Sequence, residues 1–267
     1  VPRFSVREID DRRLDPYRHL KRTNQTRWAE QFVVEGARLA ERLVASDFPV
    51  ISLLVSEGDA DAFLQSAAIA AKLPAETPVL VIPDAWVESL VGFNFHRGVL
   101  ACGRRLPGAA VESLCQGQGT TLVICPDLHD PENLGSLFRV AAALGASGML
   151  LGPGAADPLS RRVLRVSMGT ALKLPFVVSQ DLSGDLARLR AAGVQLAATV
   201  LDESAEILRD ARRPEKLALV FGNEGHGLSP EIVALCDRRI TIPMAWETDS
   251  LNVAVSAGIV LHHFLGK

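Results

Sequence analysis

Residues 120–145 read TTLVICPDLHDPENLGSLFRVAAALG. The stretch from Thr120 to Cys125 is an uncharged run rich in β-branched and apolar residues, the pattern of a strand buried on both faces. A polar loop, DLHDPEN, follows. From Leu134 apolar residues recur at helical spacing until Gly145, which suits the left-handed residue that ends a helix. A strand, a loop and a helix in this order make the building block of a parallel α/β sheet. In such sheets ligands sit at the carboxyl ends of the strands, so the DPEN loop is the first candidate site. Asn133 can cap the helix, Gly135 lets a backbone come close, and Arg139 suits a phosphate.

The block repeats outward from there. SGMLLG reads as a strand, DPLSRRVLRVSMG as a short helix and LPFVVS as a strand. DLARLRAAG is a helix ending at Gly193. VQLAATVL and KLALVFG are strands, SPEIVALC is a helix, RRITIPM is a strand and SLNVAVSAGIVLHHFLG is a closing helix. Residues 119–267 are therefore expected to form one α/β domain. Upstream, PVISLLVS, PVLVIP and RGVLACG read as strands. FVVEGARLAERLVAS reads as a short extended start and a helix, DADAFLQSAAIAAKL as an amphipathic helix and DAWVESLV as a short one. A smaller α/β domain over residues 1–104 follows, with a Pro- and Gly-bearing linker over 105–118.

Composition supports two cores. The chain has 267 residues, 48% hydrophobic and 22% charged, which excludes a disordered chain, and no Gly-X-Y period points to collagen. A net charge of −3 excludes a uniformly basic protein but not a nucleic-acid binder, because binding depends on where the charge sits. The first 27 residues carry eight Arg or Lys against four Asp or Glu. Within them Arg18, Lys21, Arg22 and Arg27 lie in an acid-free stretch, which reads as an RNA-facing arm or as a solvated helix face. The cysteines, Cys102, Cys115, Cys125 and Cys236, form no C-x-x-C pair, and no histidine spacing suggests a metal. No apolar signal region occurs in the first 30 residues, and the longest uncharged run, 140–156, is too short and too glycine-rich to span a bilayer. A soluble cytoplasmic protein with reduced thiols and no metal is expected.

Two more loops follow strands and open helices. VFGNEGHGLSP, residues 220–230, packs Gly222, Gly225 and Gly227 around Asn223 and Glu224. It lacks the G-K-[ST] of a P-loop and the spacing of G-x-G-x-x-G, and glycines alone explain a turn but not the Asn-Glu pair inside it. IPMAWETDSLN, residues 242–252, offers Asp249 or Ser250 as a helix cap, with Asn252 in the first turn.

Taken together, N-x-G-x-x-x-R in DPENLGSLFR, GNEGHGLS, and I-P-M followed by S-L-N-V resemble the three motifs of the SpoU (TrmH-like) RNA 2′-O-methyltransferases of the SPOUT superfamily, in the same order and spacing. RVLRVSMGTALKLP looks like that family's intermediate segment, with Ser167, Gly169 and Pro175 in place. This likeness covers about residues 119–267. More weakly, FVVEGARLAERL and HRGVLA resemble the family's ribosomal-protein-like RNA-binding domain.

The resemblance implies an α/β knot whose C-terminal segment threads a trefoil, an exception to the unknotted rule. It implies S-adenosylmethionine as cofactor, held by loops around Thr199, Gly222, Ile242 and Leu251, and a homodimer with the site near its interface. It places function on Asn133, Arg139, Glu224, Ser250 and Asn252. Trp246 departs from the smaller residues common between the I-P-M and S-L-N segments. A guanidinium stays protonated, so Arg139 is expected to orient the ribose-phosphate and stabilise the developing alkoxide rather than to act as the base. No histidine is required. Because an accessory domain precedes the catalytic one, 23S ribosomal RNA is the expected substrate and tRNA the alternative. A catalytically silent RNA-binding protein on the same fold would not need the polar set, and a Rossmann-type nucleotide enzyme would need a G-x-G-x-x-G that TTLVICPDLHD lacks.

Overall fold

The computed structural model describes residues 1–18, 20, 30–92, 98–223, 225–245 and 250–266. The chain divides into two compact units, Val1–Pro107 with Asp157–Lys173, and Gly108–Ala156 with Leu174–Lys267.

The first unit opens with β1 (Arg3–Ser5), β2 (Gln31–Glu35), α1 (Ala37–Val44), β3 (Val50–Ser56), α2 (Glu57–Leu64), α3 (Ala67–Lys72), β4 (Val79–Ile82), α4 (Val87–Val91) and β5 (Val99–Arg104). Its sheet runs β1-β4-β3-β5-β2. The first three of these strands are mutually parallel, and β5 pairs antiparallel with both β3 and β2. Central β3 is buried from Ser52 to Ser56, as its unbroken apolar run requires. Two of its features differ from the sequence reading. The stretch at 59–73 is two helices, because Ser66 is extended (ψ 139°) and ends the run begun in α2. Strand β1 is three exposed residues, too short to carry a periodic signal. At the core Tyr17 is fully buried, its hydroxyl 3.0 Å from the Ser52 carbonyl and 2.7 Å from Ser52 Oγ.

The second unit is built from β6 (Thr121–Cys125), α5 (Pro131–Leu144) and β7 (Gly148–Leu151), and resumes after α6 (Arg161–Val166) with β8 (Phe176–Val178), α7 (Leu182–Ala191), β9 (Gln195–Thr199), β10 (Glu206–Ile207), β11 (Leu217–Val220), α8 (Pro230–Leu235), β12 (Arg238–Thr241) and α9 (Val253–Leu265). Its seven strands run β10-β12-β9-β11-β6-β7-β8, all parallel. Gly145 ends α5 at φ +88°, the left-handed cap its position called for. Gly152 after β7 sits where a Cβ would come 1.9 Å from the Pro126 carbonyl oxygen, so no larger residue fits between these two loops.

Residues 157–173, which the sequence assigns to the second domain, group with the first unit. Long-range charge pairs hold them there. Arg105 meets Asp157 through two contacts of 3.0 and 2.5 Å, and Arg161 donates to Glu35 at 2.8 Å and to the Leu20 carbonyl at 2.6 Å. Helix α6, which carries Arg161, packs on β2. Likewise, part of the expected linker is structured. Val111–Cys115 forms a 3-10 turn that buries Val111, Leu114 and Cys115 in the second unit's core.

Candidate active site

The second unit holds a cavity of about 460 Å³ at the carboxyl ends of β9, β11 and β12. That volume is within the range of small-molecule sites. Thr199, Gly222, Ile242 and Leu251, the four expected cofactor residues, all line it. Ser250 does too. The sequence reading missed several further wall residues, among them Leu201, Phe221, His226, Met244, Ser256 and Val260. Ser256 and Val260 lie one turn apart on α9, and a lone Ser in that apolar helix was the available signal.

Local chemistry shapes each wall. Thr199 Oγ1 donates to the Val220 carbonyl at 2.9 Å, so this hydroxyl ties β9 to β11. In the GNEGHG loop, Asn223 and Gly227 exchange backbone bonds of 3.1 and 2.8 Å, which folds the loop back on itself, and Gly227 takes φ +67°. Gly222 faces that return closely: a Cβ there would lie 2.3 Å from the Gly227 carbonyl carbon. A side chain at this position would collide with backbone, so glycine keeps both the turn and the open wall beside it.

Amide side chains join the three motif loops. Asn223 Nδ2 donates to the Asp127 carbonyl at 3.3 Å, linking the second loop to the first. Asn252 Nδ2 donates to Asn133 Oδ1 at 2.9 Å, linking the third to the first. Two cap assignments change accordingly. Asp130, not Asn133, caps α5, accepting from Glu132 N at 2.9 Å, and Asn133 is buried one turn further in. Asn252 itself caps α9, its Oδ1 accepting from Ala254 N at 3.0 Å and Val255 N at 3.4 Å, so neither Asp249 nor Ser250 is needed for that role.

The remaining candidates are placed less centrally. Arg139 is exposed on α5 and does not line the cavity. Six residues of helix turn it about 120° from Asn133, so the two do not share a face. Among the described residues it makes no ion pair. Arg18 is engaged within its own unit, by Asp15 Oδ1 at 3.0 Å and by the Asp11 carbonyl at 3.2 Å. Asp15 lies just outside the acid-free window, which is why the sequence pattern left Arg18 available. Lys21, Arg22, Arg27, Glu224 and Trp246 lie outside the described residues.

The cysteines carry no chemistry here. All four are free, and burial pushes the Cys102 thiol up to about 12 and Cys236 to about 11, with Cys125 higher still. Among the described residues no three His, Cys, Asp or Glu side chains gather as a metal site, and no helix is long and apolar enough to cross a membrane.

A parallel sheet with a cavity over its strand ends, bounded by two loops that amide side chains tie to a third, defines a ligand-binding α/β protein whose site is mostly backbone and apolar wall. Residues 120–262 match the SpoU rRNA Methylase family. An uncharacterized tRNA/rRNA methyltransferase of Mycobacterium bovis is 34% identical over 265 residues, covering 96% of this chain and 90% of that one. The 23S rRNA (guanosine-2′-O-)-methyltransferase RlmB of Acinetobacter baylyi is 33% identical over 181 residues, 66% of this chain and 73% of its own length. Among solved structures, the SpoU methyltransferase AviRb from Streptomyces viridochromogenes in complex with the cofactor AdoMet superposes with a TM-score of 0.77 at 27% identity, covering 95% of this chain and 97% of that one. The chain belongs to the SpoU rRNA methylase family. It is an S-adenosylmethionine-dependent RNA 2′-O-methyltransferase.

Proposed function

We propose that the chain methylates a ribose 2′-hydroxyl of 23S ribosomal RNA, working in the cytoplasm as a homodimer. One observation carries the reading: the cavity at the ends of β9, β11 and β12 is walled by the second and third motif loops, and Asn223 and Asn252 tie those loops to the first. Its walls fit S-adenosylmethionine. The tight Gly222–Gly227 return leaves backbone groups facing the cavity, and Leu201, Phe221, Ile242 and Leu251 give apolar surface for a purine. Bound there, the cofactor supplies a methyl group activated by its sulfonium charge. The final segment, from β12 through α9, is proposed to thread a trefoil knot, and the first unit to bind RNA through Lys21, Arg22 and Arg27.

The chain's own residues then have separate tasks. Asn133 and Asn252 hold the first and third loops in register. Ser250, on the cavity wall, and Glu224 contact the ribose. Arg139 neutralises charge that develops on the 2′-oxygen, as a preorganised cation does in a water-poor site. In the proposed dimer the second copy covers the exposed apolar residues Val255 and Ile259 of α9. Within the chain Gly258 packs against Val140, the neighbour of Arg139.

Calorimetric titration tests the reading. S-adenosylhomocysteine should bind the wild-type chain, NAD should not, and Gly222→Val should abolish binding while the chain stays folded. Binding of NAD with no response to S-adenosylhomocysteine would reject the site.

A further inference from the structure

We propose that Ser256, on α9, recognises the purine of the cofactor, its hydroxyl accepting a hydrogen bond from the 6-amino group at the floor of the cavity. The inference rests on the reading of that cavity as the S-adenosylmethionine site. It adds a side chain that tells an aminopurine from other flat rings.

Helix α9 puts one stripe on the cavity. Val253, Ser256 and Val260 line it, at the spacing that one helix face requires. Val253 and Val260 are buried, and with buried Phe221 and Ile240 they make the inner wall. Ser256 is half-buried on the same stripe. A hydroxyl on an apolar wall costs desolvation unless something bonds it, and Ser forms helix less well than Ala. A helical Ser often bonds the carbonyl one turn back. Here the Asn252 carbonyl takes the Ser256 backbone N–H at 2.9 Å, and among the described residues the Ser256 hydroxyl has no hydrogen-bond partner.

The other polar side chains of the wall are engaged or lie further out. Thr199 Oγ1 donates to the Val220 carbonyl. Asn223 Nδ2 donates to the Asp127 carbonyl, and its Oδ1 accepts from the Gly225 N–H. Ser250 and His226 are exposed, at the mouth with Leu201. Polarity therefore falls from mouth to floor, and S-adenosylmethionine matches that gradient. Its charged amino-acid end suits the mouth and its flat purine the apolar floor. A purine that enters ahead of its ribose leads with the edge opposite N9, which carries N1 and the 6-amino group. Among the described residues Ser256 is the free side-chain hydrogen-bonding group at that depth, and its oxygen accepts what an amino group donates.

Calorimetry on the full chain tests this with two probes, S-adenosylhomocysteine and its analogue lacking the 6-amino group. Ser256→Ala should weaken S-adenosylhomocysteine roughly three- to tenfold, the scale of one neutral hydrogen bond. It should leave the analogue's affinity as in wild type, so the preference between the two probes shrinks by the same factor. The ligand-free variant should melt at or above the wild-type temperature, because Ala is the better helix former. Equal weakening of both probes, or a lower ligand-free melting temperature with an undiminished preference, would make Ser256 a packing residue and overturn the proposal. So would an S-adenosylhomocysteine affinity within twofold of wild type. In each of these cases the wild type still binds S-adenosylhomocysteine; a wild type that does not bind it would overturn the reading of the cavity itself.

Discussion

Arg139 is the residue on which binding and chemistry separate most cleanly. Exposed and outside the cavity wall, it can be removed without touching either the core or the cofactor loops. Arg139→Ala should keep cofactor affinity and lower single-turnover methylation by on the order of 10²-fold, the scale for one charge-stabilising donor. Arg139→Lys should also be poor, because a point charge does not reproduce the planar fork. Turnover close to wild type in the Ala variant would make Arg139 a surface residue. Asn252 is the opposite case, since one amide caps α9 and reaches Asn133. Asn252→Ala should cost about 1–2 kcal/mol in thermal unfolding, the scale of a lost cap, and should weaken the cofactor site with it. Unchanged stability would mean the cap and the inter-loop bond carry no weight. At this scale the sequence was legible in residue identity more than in role. Asn133 and Asn252 stood out, yet each looked like a local cap or a catalytic group. Their mutual bond spans 119 positions of chain, and no local pattern reports such a contact.

Elements were legible wherever a periodic run was long enough to have a period. Each strand of the second unit except two-residue β10 was readable from its apolar run, and Gly145 marked the end of α5. Misreadings fell where local backbone or a remote ion pair overrode the pattern: the 59–73 helix broken by the extended backbone of Ser66, and the 157–173 segment drawn to the first unit by Arg105–Asp157 and Arg161–Glu35. The basic arm belongs to this scale as well. With Arg18 committed to Asp15, the RNA role rests on Lys21, Arg22 and Arg27. Changing Arg22 and Arg27 together to Glu should weaken RNA binding and flatten its salt dependence while leaving S-adenosylhomocysteine affinity alone. An unchanged salt slope would return the stretch to an ordinary solvated face.

For the whole molecule, assembly turns on the outer face of α9. Val255 and Ile259 are 51% and 41% exposed on a helix that buries Val253, Ala254, Ala257, Val260, Leu261 and Phe264. A second copy covering them would satisfy the twofold arrangement expected of a homodimer. Sedimentation at micromolar concentration should report a dimer, and Val255→Asp with Ile259→Arg should report a monomer. A wild-type monomer would remove the partner from the site. Composition foretold none of this, since a net charge of −3 averages over an arm that is locally basic. The account as a whole stands on what is methylated, and mapping 2′-O-methyl groups in total RNA from a deletion strain beside its parent reads that directly. One ribose methyl present in the parent's 23S ribosomal RNA and absent from the deletion strain is the result the account predicts. Identical ribose-methyl maps in the two strains, or the loss of a base methyl instead, would contradict it.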